Sequence, residues 1–523
     1  MGLKALLSRS AIATYGRNIK SAPREVILNP SLLISALMYA STAIPLTWDQ
    51  GSASTITSLT GFQSHFGVSS GSDPSAVKNI VSLVYIGDAI GAALSYFIND
   101  RVGRFRMDYR AAGRRSKSHV SAARIISGLG IGALGVTGPM SIVEIAPKEI
   151  RGLLTSWYSV SMMIALLLST FCVYGVELHI APSNLQYQVV WFSPCVFMFL
   201  WVVASFFLCE SPRWLVMSDR SENALETLVR LRGLQVDHPR INEEIHDITE
   251  SINLENEVSE FDHASSFKIV RDFKETFTVP ANLRRAQQAL ILYAFPQVSG
   301  GNSMTNYFIP ILGILGLSGD SSRNLFLNGM YALSKLFFAL FTSFFFIDVL
   351  GRRKSLFTGI TMQMISILYL AVYLKFQQEG RASHAAGEAA LASIFTFAFG
   401  YTTGLLTLPY VFGGELWPNR IRSFGAALSS TFHWLFHYAM TYGLPSLLAR
   451  TNNWGAFIFF AAWCLVALLY VYLLVPEIAG YSVEEIDRIF SGPWVVNRMP
   501  WRKSQPSVLE GQDSDDGLKL TEY

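Results

Sequence analysis

The sequence predicts an all-α, polytopic membrane protein, and three observations lead to that fold class. Of the 523 residues, 51% are hydrophobic and only 15% are charged, whereas soluble domains carry about a quarter charged residues. The charges are clustered, because residues 210–285 hold 25 of the 79 Asp, Glu, Lys and Arg residues. Long apolar stretches separate the charged segments, and a helix needs about 20 such residues to cross the hydrocarbon.

The apolar stretches follow one another along most of the chain. The charged segment 210–285 divides them into a group of five and a group of six, which leaves an odd total of eleven. They run approximately over residues 31–47, 78–99, 125–143, 156–176, 189–208, 286–313, 326–348, 356–374, 388–412, 424–447 and 454–475.

The segments outside the spans complete the predicted organisation. The N-terminal 30 residues carry five Lys and Arg against one Glu and lack the apolar core of a cleavable signal peptide, so they are expected to stay in the cytosol. Ser221–Arg232 repeats Leu at helical spacing, which predicts an amphipathic helix at the membrane surface. The predicted regions are a cytosolic N-terminus 1–30, an N-terminal helical bundle 31–209, a cytosolic linker 210–285, a C-terminal six-helix bundle 286–475 and a cytosolic tail 476–523.

Two function classes find no support in the sequence. The net charge is only +3 and the basic residues are dispersed, so a nucleic-acid partner is not expected. The His, Ser and Asp residues lack the spacing of a nucleophile elbow, a phosphate loop or a metal site, so an enzyme is not predicted.

Two pairs of motifs indicate that the halves are repeats of one another. Asp100–Arg104 (DRVGR) follows the second apolar stretch, and Asp348–Arg353 (DVLGRR) follows the second stretch of the second half. Glu144–Arg151 (EIAPKEIR) has Glu, Pro and Arg at the same spacing as Glu415–Arg422 (ELWPNRIR). Duplication of one unit explains both pairs.

Comparison of the motif spacing in the two halves shows that the first half is shorter than the second. Asp100 and Glu144 are 44 residues apart, whereas Asp348 and Glu415 are 67 apart, so the first half is 23 residues short. That deficit is about one membrane helix and a turn. Residues 107–123 carry four basic residues and cannot replace the helix, since each charge at mid-bilayer costs roughly 2.5–3.5 kcal/mol on insertion scales.

We therefore predict that the third span is missing near residues 105–123, through an unrecognised exon or a real deletion. As written, the chain would place Glu144–Arg151 outside the membrane. That position opposes both the positive-inside tendency and the position expected for Glu415–Arg422.

The order of the motifs resembles a known family. Glu210–Arg213 (ESPR) follows the fifth span, and Glu477 follows the last span. With the two repeated pairs, these residues resemble the sugar porter family of the major facilitator superfamily over residues 31–490, and they are most similar to fungal sugar and quinate-type permeases. The resemblance implies a major facilitator fold of two pseudo-symmetric helical bundles, with twelve spans where eleven are seen.

The same resemblance implies a function. A member of this family is a secondary active transporter that moves a sugar, a polyol or a related small polar substrate by alternating access, here with proton symport. The implied partners are the substrate, protons and the lipid bilayer; the chain is expected to be a monomer without a cofactor, in the plasma membrane, with both termini cytosolic. Two alternatives stay open: a sugar sensor that does not transport, and a defective product that lacks one helix.

Charged residues at the helix ends are predicted to form gates. Acidic and basic residues from different helices can form salt bridges that hold one conformation closed and break in the other. The predicted gating residues are Asp100, Arg104, Glu144, Arg151, Glu210, Arg213, Asp348, Arg352, Arg353, Glu415, Arg422 and Glu477.

Ionisable residues inside spans are hypotheses for function, because they are costly there. The resemblance places a proton-accepting Asp at Asp49 and its Arg partner at Arg124. Asp88 and Lys335 lie 12 and 13 residues before the two Asp-x-x-Gly motifs, at matching depths of the two halves, and receive no role.

A sugar pocket should combine hydrogen-bonding amides or imidazoles with aromatic rings. The stretch 286–313 contains a polar, glycine-rich patch that is expected to break its helix. Gln297 and Asn302 match sugar-contacting amides of the family, while Tyr410 replaces a family Trp. The predicted substrate-binding residues are Gln297, Asn302, Tyr307, Tyr410, His433, Trp434 and His437.

Substitutions in this pocket leave the substrate open. Ser159 stands where the family has a hexose-binding Gln, so ordinary glucose recognition is not expected. Fewer amides and two additional histidines would suit another polyol, a disaccharide or an acidic substrate such as quinate.

Overall fold

The structure is a computed structural model, and within the residues that it describes the chain is helical, without a β-strand. The described residues are 23–67, 74–102, 117–147, 149–206, 208–261, 268–343, 351–409, 416–477 and 489–495. The all-α fold class predicted from the sequence is therefore confirmed for this part of the chain.

Eight helices of the described chain precede the charged linker. Asn29 caps the second of them by accepting a hydrogen bond from the Ser31 amide, and Pro30 occupies its first turn, where a missing N–H does no harm. The helices are α1 (Arg24–Ile27), α2 (Pro30–Ser41), α3 (Ile44–Ile56), α4 (Thr60–Phe66), α5 (Pro74–Val102), α6 (Lys117–Ile145), α7 (Arg151–His179) and α8 (Asn184–Ser205).

The linker contributes four helices along one face of the bundle, which we call the linker face. The predicted amphipathic helix is present with the predicted bounds, but Arg220 occupies its N-cap and no side chain caps it. Gly233 ends it in the left-handed conformation that favours glycine. The helices are α9 (Pro212–Met217), α10 (Ser221–Arg232), α11 (Pro239–Phe261) and α12 (Lys268–Thr278).

The second half begins with a helix broken into three pieces and continues with five longer helices. A π-helical turn, Thr402–Leu406, extends one of them, and a 3₁₀ turn, Asn419–Ile421, precedes another. The helices are α13 (Pro280–Val298), α14 (Gly301–Asn306), α15 (Phe308–Ile314), α16 (Ser321–Phe341), α17 (Arg352–Gln378), α18 (His384–Tyr401), α19 (Arg422–Arg450) and α20 (Trp454–Leu474).

Nine helical segments of the described chain are long and apolar enough to cross a membrane. They cover nine of the eleven predicted spans. The other two predicted spans fall on the broken helix α13–α15 and on α19, both of which carry many polar residues for a membrane helix. Six of the seven predicted substrate-binding residues lie in these two segments, and the seventh, Tyr410, belongs to the predicted span 388–412.

The spans of the second half alternate in direction. α13–α15 leaves the linker face, where Arg284 binds the carbonyl of Ile489, and α16 returns. At the opposite face, Gln378 near the end of α17 binds the carbonyl of Asn452, which precedes α20. The linker-face ends of α17 and α20 meet where Glu477 accepts hydrogen bonds from the amides of Arg352 and Arg353.

The first half breaks this alternation at α5 and α6, which run parallel. Arg124 donates to the carbonyl of Ile80 at 2.8 Å, and one turn further along each helix Gly128 packs on Val84. Another turn on, Gly132 lies so close to α5 that a Cβ there would be 2.0 Å from the Asp88 carbonyl oxygen. Both helices therefore end at the linker face.

In a parallel pair, the end of the first helix and the start of the second lie at opposite ends of the pair. Val102 lies 22 residues beyond Ile80, and Lys117 lies seven residues before Arg124, so the ends to be joined are about 44 Å apart at 1.5 Å per helical residue. Fifteen chain steps reach at most about 50 Å when fully extended. α6 thus has the direction expected of a fourth span, although only two spans precede it.

The two halves meet along an antiparallel pair, α5 and α19, in contact over most of their length. From the opposite face to the linker face, Lys78 lies over the Tyr442 ring, Tyr85 stacks on His437, and Tyr96 packs edge-on against Phe424. A second contact between the halves joins α7 and α16, where Tyr174 packs against Phe326.

Candidate functional site

A small polar cavity lies between the two halves at mid-depth. Its volume is about 20 Å³, enough for about one water molecule. From the first half, Gln50 is the one polar lining residue beside Leu46, Met162 and Met163. The second half contributes the remaining lining residues, which are Tyr293, Pro296, Asn302, Tyr401, Leu405, Leu406, Pro409, His433, Trp434 and His437.

A chain of amide hydrogen bonds crosses this cavity. Gln50 on α3 donates to the side-chain oxygen of Asn302 at 3.0 Å, which joins the two halves. Asn302 donates to Gln297 at 2.9 Å, and Gln297 lies 3.3 Å from the Nδ1 of His433. Tyr401 also donates to Asn302, at 3.1 Å. Amides with both donors and acceptors in a closed pocket are suited to sugar hydroxyl groups.

Two glycines allow the helix break that exposes these amides. Gly300 has φ of +83°, a conformation that residues with a Cβ rarely adopt, and it separates α13 from α14. A Cβ on Gly301 would lie 2.0 Å from the Tyr401 ring, so only glycine lets Tyr401 reach Asn302. The predicted break of this span is present.

Aromatic rings close the side of the cavity nearest α5. Tyr85 stacks on His437 with centroids 3.9 Å apart, and Trp434 lies 5.9 Å from Tyr85 in a parallel orientation. Asn306 donates to the Tyr85 hydroxyl at 3.1 Å and lies 3.0 Å from the Nε2 of His437. This cluster connects the first half to both pocket helices of the second half.

An ion pair lies next to the pocket in the first half. The Arg124 guanidinium binds both carboxylate oxygens of Asp49, and the Nη2 to Oδ2 distance is 3.0 Å. Both side chains are largely buried, with 8% and 16% exposure. Asp88 interacts electrostatically with both members. Asp49 directly precedes Gln50 in the chain. The ion pair is therefore adjacent in sequence to the residue whose hydrogen bond to Asn302 joins the halves.

Four predicted gating residues, Glu144, Arg151, Glu210 and Arg213, lie at the linker face. Ser211 donates to Glu144, and Arg213 lies 3.4 Å from the Ser251 hydroxyl. Arg151 begins α7, and Glu210 directly precedes Ser211.

Residues that the sequence analysis did not identify form further ion pairs at the linker face. Arg240 binds Glu149 at 2.8 Å, and Arg232 binds Glu244 and the Ile145 carbonyl. Burial lowers the pKa of Arg232, and the charge of Glu244 offsets part of that effect.

In the second half, Glu477 bridges the amides of Arg352 and Arg353, at 3.0 and 3.1 Å. Arg422 begins α19. Five predicted residues cannot be placed: Arg104, Asp348, Tyr410 and Glu415 lie outside the described residues, as does the side chain of Asp100 in the last turn of α5.

The structure brings most of the predicted substrate-binding residues together. Asn302, His433, Trp434 and His437 line the cavity, and Gln297 binds Asn302 from behind it. Tyr307 does not line the cavity.

Tyr307 is buried and donates to the Thr441 carbonyl at 3.1 Å, which gives it a role in holding α14 against α19. Sequence reasoning missed Gln50, Tyr85, Tyr293 and Tyr401. The position of Gln50 beside Asp49 was the one available signal.

Two repeats of membrane helices with a polar cavity between them define a multi-pass membrane transporter of the major facilitator fold. The chain belongs to the family Sugar (and other) transporter, whose family model matches residues 109–490. It is similar to a quinate permease of Emericella nidulans, with 26% identity over 519 residues that cover 96% of this chain and 95% of the relative. A probable quinate permease of Aspergillus niger is 27% identical over 492 residues, 90% of each chain.

Solved structures agree on the fold. The proton:xylose symporter XylE bound to 6-bromo-6-deoxy-D-glucose has a TM-score of 0.71 at 20% identity, covering 88% of this chain and 100% of that one. An inward open form of the xylose transporter XylE from E. coli has a TM-score of 0.64 at 20% identity, with 88% and 98% coverage. The expectation of a transporter rather than an enzyme is confirmed by the family.

Proposed function

We propose that this protein is a proton-coupled symporter that moves a sugar, a polyol or a related small polar substrate across a membrane, most simply the plasma membrane. The observation that carries the proposal is the Asp49–Arg124 pair beside the Gln50–Asn302 hydrogen bond. Protonation of Asp49 would release Arg124, and the adjacent Gln50 would transmit that change to the pocket. The names of the relatives make quinate one of the substrates to be tested.

Three groups interact with the Asp49 carboxylate, and its protonation would alter each of these interactions. Arg124 faces it from α6, and Tyr85 and Asp88 interact with it electrostatically from α5. Loss of the Asp49 charge leaves Arg124 with the Ile80 carbonyl and Asp88 as its described partners.

Uptake by Asp49→Asn tests the coupling. Membrane vesicles with an inward proton gradient should lose accumulation of labelled quinate or glucose in this variant, whereas exchange of labelled for unlabelled substrate should persist. Asp320→Asn is the matched control, because Asp320 is exposed at the N-cap of α16 and is expected to behave as the wild type. Protonophore-insensitive accumulation by the wild type, or unchanged accumulation by Asp49→Asn, would refute the coupling role.

A second candidate, a product that cannot transport because it lacks one helix, is favoured by the parallel direction of α5 and α6. Sequencing of the transcript across the codons for Ile98 to Ser127 tests it. An additional stretch encoding about 20–25 mostly apolar residues would complete the repeat and support the transporter. If the transcript matches the chain, absence of uptake would favour this candidate, and binding without uptake would favour a sensor.

A further inference from the structure

Lys335 is a buried cation in the second half to which the transport mechanism above gives no role. It lies in α16 with 1% of its surface exposed, and its Nζ donates to the Thr305 hydroxyl at 3.0 Å. The ring centroids of Tyr401 and Tyr331 are 5.3 and 5.8 Å from the Nζ. Among the described residues, no carboxylate forms an ion pair with it.

This environment leaves the ammonium incompletely satisfied. A lysine ammonium has three N–H donors, and one of them is used here. Aromatic faces attract a cation but do not accept its hydrogen bonds as an anion does. A buried charge without a counter-ion is costly, and an anion from outside the chain would offset that cost.

A second buried polar group lies on the same side of the cavity. The Nε2 of His437 lies 3.0 Å from the Asn306 side-chain amide. The Nδ1 of the same ring is buried without a hydrogen-bond partner in the described chain. His437 lines the cavity and interacts electrostatically with Lys335.

Lys335 is separated from the cavity by a single side chain. Tyr401 lines the cavity, and the Lys335 ammonium lies against its ring. Asp49 is paired with Arg124, and Asp88, whose Oδ1 is buried without a hydrogen-bond partner, interacts electrostatically with that pair. Neither carboxylate forms an ion pair with Lys335.

We propose that the substrate carries a carboxylate, which binds the Lys335 ammonium and the His437 ring in the tautomer that carries its proton on Nδ1, while Gln50, Gln297 and Asn302 bind its hydroxyl groups. The ligand class is a polyhydroxylated monocarboxylic acid. The proposal rests on the proposed transport function and specifies the substrate class of that site.

Matched pairs of probes test the proposal. Vesicles are given labelled quinate or its carboxamide, and labelled glucuronate or glucose, so that within each pair only the carboxylate changes. For at least one pair, the wild type should take up the acid with a kcat/KM about tenfold or more above that of its neutral analogue, as expected for loss of a hydrogen bond to a charged group.

Variants of Lys335 locate the selectivity. Lys335→Met should raise KM for the acid about 10- to 100-fold and leave uptake of the neutral analogue within about twofold, which removes the preference. Lys335→Arg should retain part of the preference for the acid over its neutral analogue. Lys375→Met is the matched control, because Lys375 also lies over an aromatic ring, that of Trp454, but is exposed and distant from the cavity.

Each outcome separates the two proposals. If the wild type takes up glucose and not the acids, or if Lys335→Met slows acid and neutral analogue equally in well-folded protein, the carboxylate site is refuted while transport stands. Absence of uptake for all four probes and for a panel of other neutral sugars and polyols would refute the proposed function itself. If Lys335→Met fails to fold, Lys335→Gln is measured in its place, and the same acid-to-neutral ratio decides.

Discussion

The two halves of the molecule place a charge at the same depth and surround it differently. Asp88 in α5 and Lys335 in α16 precede their repeated motifs by nearly the same number of residues. Asp88 lies beside the Asp49–Arg124 pair, whereas Lys335 lies among aromatic rings next to the pocket. The comparison teaches that duplication preserved the helical scaffold while the buried chemistry diverged, with paired charges in one half and an unbalanced cation in the other.

The largest expected effect comes from breaking the buried pair of the first half. Arg124→Met leaves the Asp49 carboxylate buried without its cation, and such a change costs about 3–5 kcal/mol. We expect a strong fall in thermal stability in detergent and loss of uptake. The double variant Asp49→Asn with Arg124→Met removes both charges and should be more stable than the single one. A double variant that is less stable than Arg124→Met would contradict this account.

The next effect tests the packing of the parallel helices α5 and α6, whose relative direction distinguishes the first half from the second. A Cβ on Gly132 would lie 2.0 Å from the Asp88 carbonyl oxygen, so Gly132→Ala should push α6 from α5 and cost about 1–3 kcal/mol. Gly135 on the same helix has open space at its Cβ position. Gly135→Ala should therefore be neutral or stabilising by up to about 1 kcal/mol. Equal melting temperatures for the two variants would contradict the packing of α5 on α6.

A smaller effect is expected at the hydrogen bond that links the halves at the aromatic cluster. Tyr85→Phe and Asn306→Ala each remove one partner of the 3.1 Å bond. A double-mutant cycle on thermal unfolding should give a coupling of about 0.5–1.5 kcal/mol. A coupling near zero would mean that the two halves do not depend on this bond for stability.

The smallest effect is expected for an exposed pair, which gives a reference for the buried one. His384 and Glu388 lie 3.5 Å apart on α18 with 93% and 73% exposure. Glu388→Gln should change stability by less than about 0.5 kcal/mol, because water screens such pairs. A loss comparable to that of Arg124→Met would remove the distinction between paired charges at the surface and inside.

Much of the fold was predictable, because hydropathy and length determine which segments can cross a membrane. Two predicted spans, α13–α15 and α19, are not among the nine segments that are long and apolar enough to cross a membrane. The amides and histidines of the predicted pocket are among their polar residues. The direction of α6 was less accessible, since the sequence as written predicts the opposite side for Glu144, whereas packing on α5 places it at the linker face.

The sequence predicted those residues of the candidate site that lie close together in one short segment. Gln297 and Asn302 share a glycine-rich patch, but Gln50 and Asn302 are 252 residues apart, and nothing local in the sequence pairs them. Tyr401 reaches Asn302 only because Gly301 has no Cβ. Tyr307 belongs to the same polar patch, but its hydroxyl donates to the Thr441 carbonyl and it does not line the cavity, so its role in substrate binding stays a prediction.

The pair α5 and α19 has a mechanical consequence. Tyr85 and His437 lie near its middle, with Lys78 seven residues to one side and Tyr96 eleven residues to the other. At 1.5 Å per residue the two arms are about 10 and 16 Å long. A pivot at Tyr85 through about 10° would displace the short end by about 2 Å and the long end by about 3 Å. The displacement is thus larger at the linker face. A small rotation of α5 against α19 would separate Tyr96 from Phe424 before it separates Lys78 from Tyr442.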